Sequence, residues 1–119
     1  MLVNNRLIKS KRLNRSEDFK QAFQQGRKLK YGCLTTYTKP NTLGYARLGL
    51  AVTKKAVPNA ASRNRVKRVI RESFRLNQSL LSGFDIVVAV KSQCLFNKQV
   101  LSCDLDKQWS RLVIFYKKA

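Results

Sequence analysis

Residues 63 to 75 read Arg-Asn-Arg-Val-Lys-Arg-Val-Ile-Arg-Glu-Ser-Phe-Arg. On a helix, Arg63, Lys67, Arg71 and Arg75 form one i, i+4 ladder of like charge, and Asn64 and Arg68 border the same face. Like charges at that spacing disfavour a helix by about 0.2–0.5 kcal/mol per pair. Cations in the first turn also oppose the positive end of the helix dipole, at about 0.3–1 kcal/mol each. Glu72 is the only acid in the run to offset them. Folding stability gives no reason for such a helix, whereas a polyanion does, so the chemistry implied is recognition of RNA or DNA phosphates. The rival reading is an ordinary solvated basic face. Lys54 and Lys55, just ahead of the run, are weaker candidates of the same kind.

Groups for covalent chemistry are missing. The chain has no histidine, which removes Ser-His and Cys-His nucleophile pairs, the usual general base near neutral pH and the commonest metal ligand. Glu17 and Asp18 are adjacent in what reads as the first turn of a helix, where the dipole favours acids. Asp104 and Asp106 diverge by about 200° on a helix, and Asp85 begins a strand with no evident partner. No carboxylate pair suggests a two-metal nuclease, and there is no P-loop or G-x-G-x-x-G. Cys33, Cys94 and Cys103 are odd in number and lack C-x-x-C spacing, which argues against a zinc finger or ribbon. They are expected to be buried or incidental thiols of a reducing compartment. The chain is therefore expected to supply no catalytic group and no metal site.

The elements that position the basic run follow from composition and period. The 119 residues suit one domain, 1–119. A hydrophobic content of 44% is enough for a core despite 25 Lys and Arg against six Asp and Glu, a formal charge of +19. That charge speeds association with anything strongly negative. The longest apolar stretch, Ile86 to Val90, is far too short to span a bilayer. The first residues, Met1-Leu-Val-Asn-Asn-Arg-Leu-Ile-Lys9, lack the apolar run of a signal peptide. A cytoplasmic protein with no membrane partner is expected.

Residues 1–15 read as a basic extended arm. Ser16 to Gly26 reads as a short helix with Ser16 as N-cap, Phe19 and Phe23 on one face and Gly26 as C-cap. A strand over Gly32–Lys39 ends at Pro40, with room for an extra short strand near Leu29–Tyr31. Asn41–Gly44 supplies a turn. Tyr45–Thr53 alternates as a half-buried strand, expected to pair antiparallel with the one before it. Pro58-Asn59 opens the basic helix, which is expected to run to about Leu81 with Val66, Val69, Ile70, Leu76 and Leu80 inward and Phe74 at the margin. Phe84–Val90 is a continuous apolar run, as for a central strand covered on both faces. A final helix from about Asn97 to Tyr116 carries a stripe of Leu101, Leu105, Trp109, Leu112 and Tyr116. The class is α+β, with the charge on a strand–helix–strand crossover.

At this point the residues resemble a known family, the protein subunit of bacterial ribonuclease P. The likeness rests on Arg63–Arg75, whose opening is that family's Arg-Asn-Arg signature, preceded by Arg47-Leu-Gly-Leu-Ala-Val-Thr-Lys-Lys55. Phe19-x-x-x-Phe23 with Gly26, Tyr37, and Phe84-Asp-Ile-Val-Val-Ala extend it, in order, over roughly residues 12 to 113. Asn59-Ala-Ala-Ser62 falls where relatives vary, so no role is carried over there. The resemblance implies an αβββαβα domain with a central mixed sheet and a left-handed β-α-β crossover, against the usual hand. It implies a ribonucleoprotein in which a catalytic RNA binds Mg2+ and cleaves precursor tRNA, leaving a mature 5′-phosphate, while the protein binds the 5′ leader and helps fix the RNA. Arg63, Asn64, Lys67 and Arg71 would then lie where catalytic RNA and leader approach each other, with Arg65 and Arg68 turned further toward the catalytic RNA. Phe19, Phe23 and Tyr37 would form an aromatic floor for unpaired bases, a stacking worth about 1–3 kcal/mol per base and tolerant of sequence. The rival for these three is core packing. Two other classes share the size and charge. One is a structural RNA-binding protein such as a small ribosomal protein. The other is a DNA-binding module, which the lack of a helix-turn-helix partner disfavours.

Overall fold

The computed structural model describes residues 16–31, 34–90 and 97–117, without the side chains at 16–19, 23 and 117. The expected basic arm, Cys33, Cys94 and the rings of Phe19 and Phe23 lie outside that set. The elements are α1 (Ser16–Gln25), β1 (Arg27–Tyr31), β2 (Leu34–Pro40), β3 (Arg47–Val52), α2 (Ala60–Leu76), β4 (Phe84–Val90) and α3 (Lys98–Lys117). They form the expected αβββαβα order, with the short strand before Leu34 present.

The four strands form one mixed sheet in the order β1-β2-β4-β3. β4 runs antiparallel to β2 and parallel to β3, with Leu48 opposite Ile86 and Tyr37 opposite Val87. This corrects the expected β2–β3 hairpin. The turn at Asn41–Gly44 resembles a hairpin connection, but β4 takes the place between the two strands. The reason is burial. From Ile86 to Ala89, β4 is fully shielded on both faces, which an edge position cannot provide.

Alternation divides the sheet into two faces. Leu34, Leu48, Ile86, Val88 and Val90 join Val66, Ile70 and Phe74 of α2 and Leu101, Leu105, Trp109 and Leu112 of α3 in the main core. Tyr37, Val87 and Ala89 face the other way and pack with Ala22 of α1. Leu101, Leu105, Trp109 and Leu112 of the α3 stripe are buried as their spacing predicts, while Tyr116 is half-buried against the same core. Asn97 caps that helix, its Oδ1 accepting from the backbone N–H groups of Gln99 and Val100. Trp109 Nε1 donates to Ser73 Oγ at 2.8 Å and ties α3 to α2. α2 stops five residues short of expectation. Asn77 closes it, donating its backbone N–H to the Phe74 carbonyl, and turns follow to Gly83. Phe74 is therefore fully buried, while Leu76 and Leu80 are 64% and 49% exposed, the reverse of the expected arrangement.

Asp85 has partners that the sequence did not reveal. Arg47 grips it with two parallel hydrogen bonds, Nε to Oδ1 at 2.8 Å and Nη2 to Oδ2 at 2.7 Å. Asn41 Nδ2 donates to the same Oδ1 at 2.8 Å, and Asn41 Oδ1 accepts from Leu43 N–H within its own turn. This latch fixes the β2–β3 connection against the start of β4.

Candidate nucleic-acid interface

α2 starts because Asn59, in extended backbone, accepts from Ser62 N–H through its side chain. It stays docked because Val66, Val69, Ile70, Ser73 and Phe74 are buried. With that side held inward, the helical period turns Asn64, Arg65, Arg68 and Arg71 outward, all exposed, with Lys67 at the margin. Among the described residues, two ion pairs join side chains: Arg47–Asp85 and Arg75–Glu72. No described carboxylate lies within ion-pair distance of Arg65, Lys67, Arg68 or Arg71. The helix thus has no acid in its first turn and keeps four cations on its outer surface. Lys54 and Lys55 are exposed in the turn between β3 and α2, at the same end of the sheet as the start of the helix.

The ladder is not uniform. Arg63 bends back, Nη1 donating to the carbonyls of Pro58 at 2.8 Å and Val57 at 3.1 Å. It braces the approach to α2 and is half-buried. At the other end Arg75 and Glu72 hold each other charged. The Arg75 hydrogen bond keeps the Glu72 carboxyl below its ordinary range, and the same bond raises the Arg75 guanidinium. The open positive surface is therefore the middle of the helix, Asn64 to Arg71.

Tyr37 lies on the α1 side of the sheet, 6% exposed and packed with Ala22, Val87 and Ala89. A ring so covered has no open face for a base, so Tyr37 packs α1 against the sheet. Lys39, two residues on, reaches Gln21 and Gln25 of α1 at 3.3 Å each. Gly26 closes α1 and lets its end approach β2, since a Cβ there would fall 2.2 Å from the Ala22 carbonyl oxygen of the helix and 3.1 Å from the backbone N and O of Thr38 in β2. Cys103 is exposed on α3, an incidental thiol and not a buried one. Among the described residues, no three His, Cys, Asp or Glu side chains gather where they could hold a metal ion, and no helix is long and apolar enough to cross a membrane.

Sequence reasoning missed the Arg63 brace and the Arg47–Asp85–Asn41 latch. The first involves carbonyls five and six residues back, which side-chain spacing does not indicate. The second joins residues 38 and 44 positions apart.

A family model described as Ribonuclease P matches residues 7–113. The chain is 44% identical over 102 residues to a ribonuclease P protein component of Photobacterium profundum, covering 85% of this chain and 86% of that one. The RNase P protein from Thermotoga maritima, solved in complex with 1-(4-fluorophenyl)-2-thiourea, superposes with a TM-score of 0.75 at 30% identity, covering 83% of this chain and 97% of that one. A Staphylococcus aureus RNase P protein mutant with defective mRNA degradation activity gives 0.74 at 28% identity, covering 83% and 85%. By family model, sequence identity and fold together, the chain belongs to the ribonuclease P protein family.

Proposed function

We propose that this chain binds the catalytic RNA of ribonuclease P and the 5′ leader of precursor tRNA, and so assists removal of the leader without supplying a reacting group. Family membership implies a partner RNA subunit and a role in tRNA processing. The observation that carries the finer reading is the outer face of α2, where Arg65, Lys67, Arg68 and Arg71 stand with no described acid to pair with them. Each phosphate neutralised there releases counterions, which drives binding independently of sequence. Leaders differ in sequence, so a backbone-reading surface suits them. The magnesium ions that activate water and stabilise the leaving oxygen sit, in this proposal, on the RNA. Lys54, Lys55 and Asn64 extend the α2 surface, and Phe19 and Phe23 remain candidates for stacking with leader bases. Tyr37 serves as packing that holds α1 in place beside them.

The test is reconstitution of precursor-tRNA cleavage by the catalytic RNA at low magnesium, with and without the protein. Rescue of cleavage is expected. Tight RNA binding with no rescue would overturn the proposal in favour of a purely structural RNA-binding protein. Repurified RNA-free protein is expected to cleave neither precursor tRNA nor mRNA, and cleavage that persists through repurification would refute the absence of catalytic groups.

A further inference from the structure

A second group of cations stands at the opposite margin of the sheet from β3. β1 is an edge strand, paired to β2 alone, and its cations Arg27, Lys28 and Lys30 are all exposed. Alternation turns Arg27 to the α3 face, while Lys28 and Lys30, opposite Tyr37 and Thr35, turn to the α1 face. α3 packs over β1 and β2 and adds Lys107 and Arg111, one helical turn apart and both exposed. Their positions are held. Lys107 Nζ donates to the Tyr31 hydroxyl at 3.0 Å. Arg111 Nη1 donates to the Lys30 carbonyl at 3.1 Å, with its guanidinium 5.9 Å from the Tyr31 ring centroid. The Arg27 guanidinium lies 4.2 Å over the Phe115 ring. α3 carries two acids nearby, the exposed Asp106 next to Lys107 in sequence and Asp104 one turn before it, whose charge acts on Lys107.

We propose that the α3-facing side of β1 and α3 form a second RNA-backbone surface, using Arg27, Lys107 and Arg111. The proposal rests on the reading of the chain as an RNA-binding subunit and adds a second strand contact to it. Three features support it. Guanidinium groups already stacked on aromatic rings lose little freedom when they meet a phosphate. Two β1 carbonyls, which would repel a phosphate, are covered by α3 donors: Leu29 by Gln108 Nε2 at 3.0 Å and Lys30 by Arg111. The strand order sets β1 about 14 Å from β3, three strand spacings, and α2 lies over β3 while α3 lies over β1. The two surfaces thus flank the helical layer, placed to hold two RNA segments apart. Edge strands also carry lysines merely to block strand-to-strand pairing. That alternative explains Lys28 and Lys30 but not why Lys107 and Arg111 are brought to the strand from a helix.

The test compares two full-length variants for binding to the catalytic RNA across a salt series: Arg27→Gln/Lys107→Gln/Arg111→Gln, and Arg68→Gln/Arg71→Gln. The triple variant is expected to bind about tenfold or more weakly near physiological salt and to flatten the salt slope by about 2. If it keeps the wild-type slope and affinity while the α2 variant loses both, the edge surface is refuted and the α2 reading stands. New concentration-dependent association of that triple variant, with RNA binding intact, would assign the cations to edge protection. If neither variant changes binding, the proposed function itself fails. A photo-crosslinker at position 27 or 68 gives a readout independent of charge removal. The two positions are expected to label separate RNA segments, and no labelling from 27 overturns the proposal.

Discussion

Replacing Arg71 by Gln should move folding stability and RNA affinity in opposite directions. Arg71 has a like charge one turn away on each side, Lys67 and Arg75. At about 0.2–0.5 kcal/mol per i, i+4 pair, removing it relieves roughly 0.4–1 kcal/mol of repulsion. Arg75 is already offset by Glu72, so the gain should fall near the lower end, about 0.5 kcal/mol. Arg and Gln have similar helix propensities, so the exchange adds little of its own. Urea unfolding can be followed through Trp109, the one tryptophan of the chain, which is 1% exposed between α2 and α3. The gain should vanish in 1 M salt, where the Debye length is about 3 Å. On the catalytic RNA, the same variant should bind more weakly and flatten the salt slope by about 0.7–0.9. A variant that is less stable than the parent, or that binds RNA with the parent's affinity and slope, would refute the argument that RNA phosphates relieve a strain built into α2.

Asp85→Ala leaves the Arg47 guanidinium, 18% exposed, without its carboxylate. Breaking a well-buried pair costs about 3–5 kcal/mol, and the partial exposure here brings the expected loss to about 2–3, read by urea midpoint. Gly26→Ala presses a Cβ against the Ala22 and Thr38 backbone, which cannot swing aside, so a loss of about 1–3 kcal/mol is expected. Wild-type stability would show that α1 is not seated as described. Tyr37→Leu should lower stability by loosening α1 against the sheet, and a wild-type urea midpoint would show that this ring does not hold the helix. Glu72 titrates below its ordinary value of 4.5 because Arg75 donates to it. Its stabilising contribution is thus complete above that value and is lost as pH falls through the lowered native one. Glu72→Gln should remove this acid-side dependence, as followed by thermal unfolding between pH 5 and pH 3 and by NMR titration of the carboxyl.

Much of this was legible because burial imposes a period. The i, i+4 stripe from Leu101 to Leu112 and the alternation of Leu48, Leu50 and Val52 identified inward faces correctly, and the unbroken run Ile86–Val90 correctly indicated a central strand. Period gives faces but not neighbours, however. The residues of β3 look the same whether the adjacent strand is β2 or β4, so the pairing was read from chain proximity and came out wrong. The end of α2 was overrun because Leu76 and Leu80 continue an apolar spacing, while the Asn77 cap that stops the helix is a single polar residue. At the interface, charge spacing identified the outward cations of α2. It could not show that Arg63 bends back to two carbonyls or that Tyr37 lies beneath α1.

The placement of β4 between two strands that precede it affects the order of assembly. β2 and β3 are neighbours in the chain yet share no hydrogen-bonded ladder, so neither can complete its pairing until residues 84–90 have been synthesised. Only then is there a finished sheet on which α2 can rest its apolar side. A ribosome-bound fragment ending at Gly83 therefore has the whole positive row but no platform to orient it. On the proposed function, the helix can present its cations to RNA as a fixed surface only after β4 has emerged and joined the sheet.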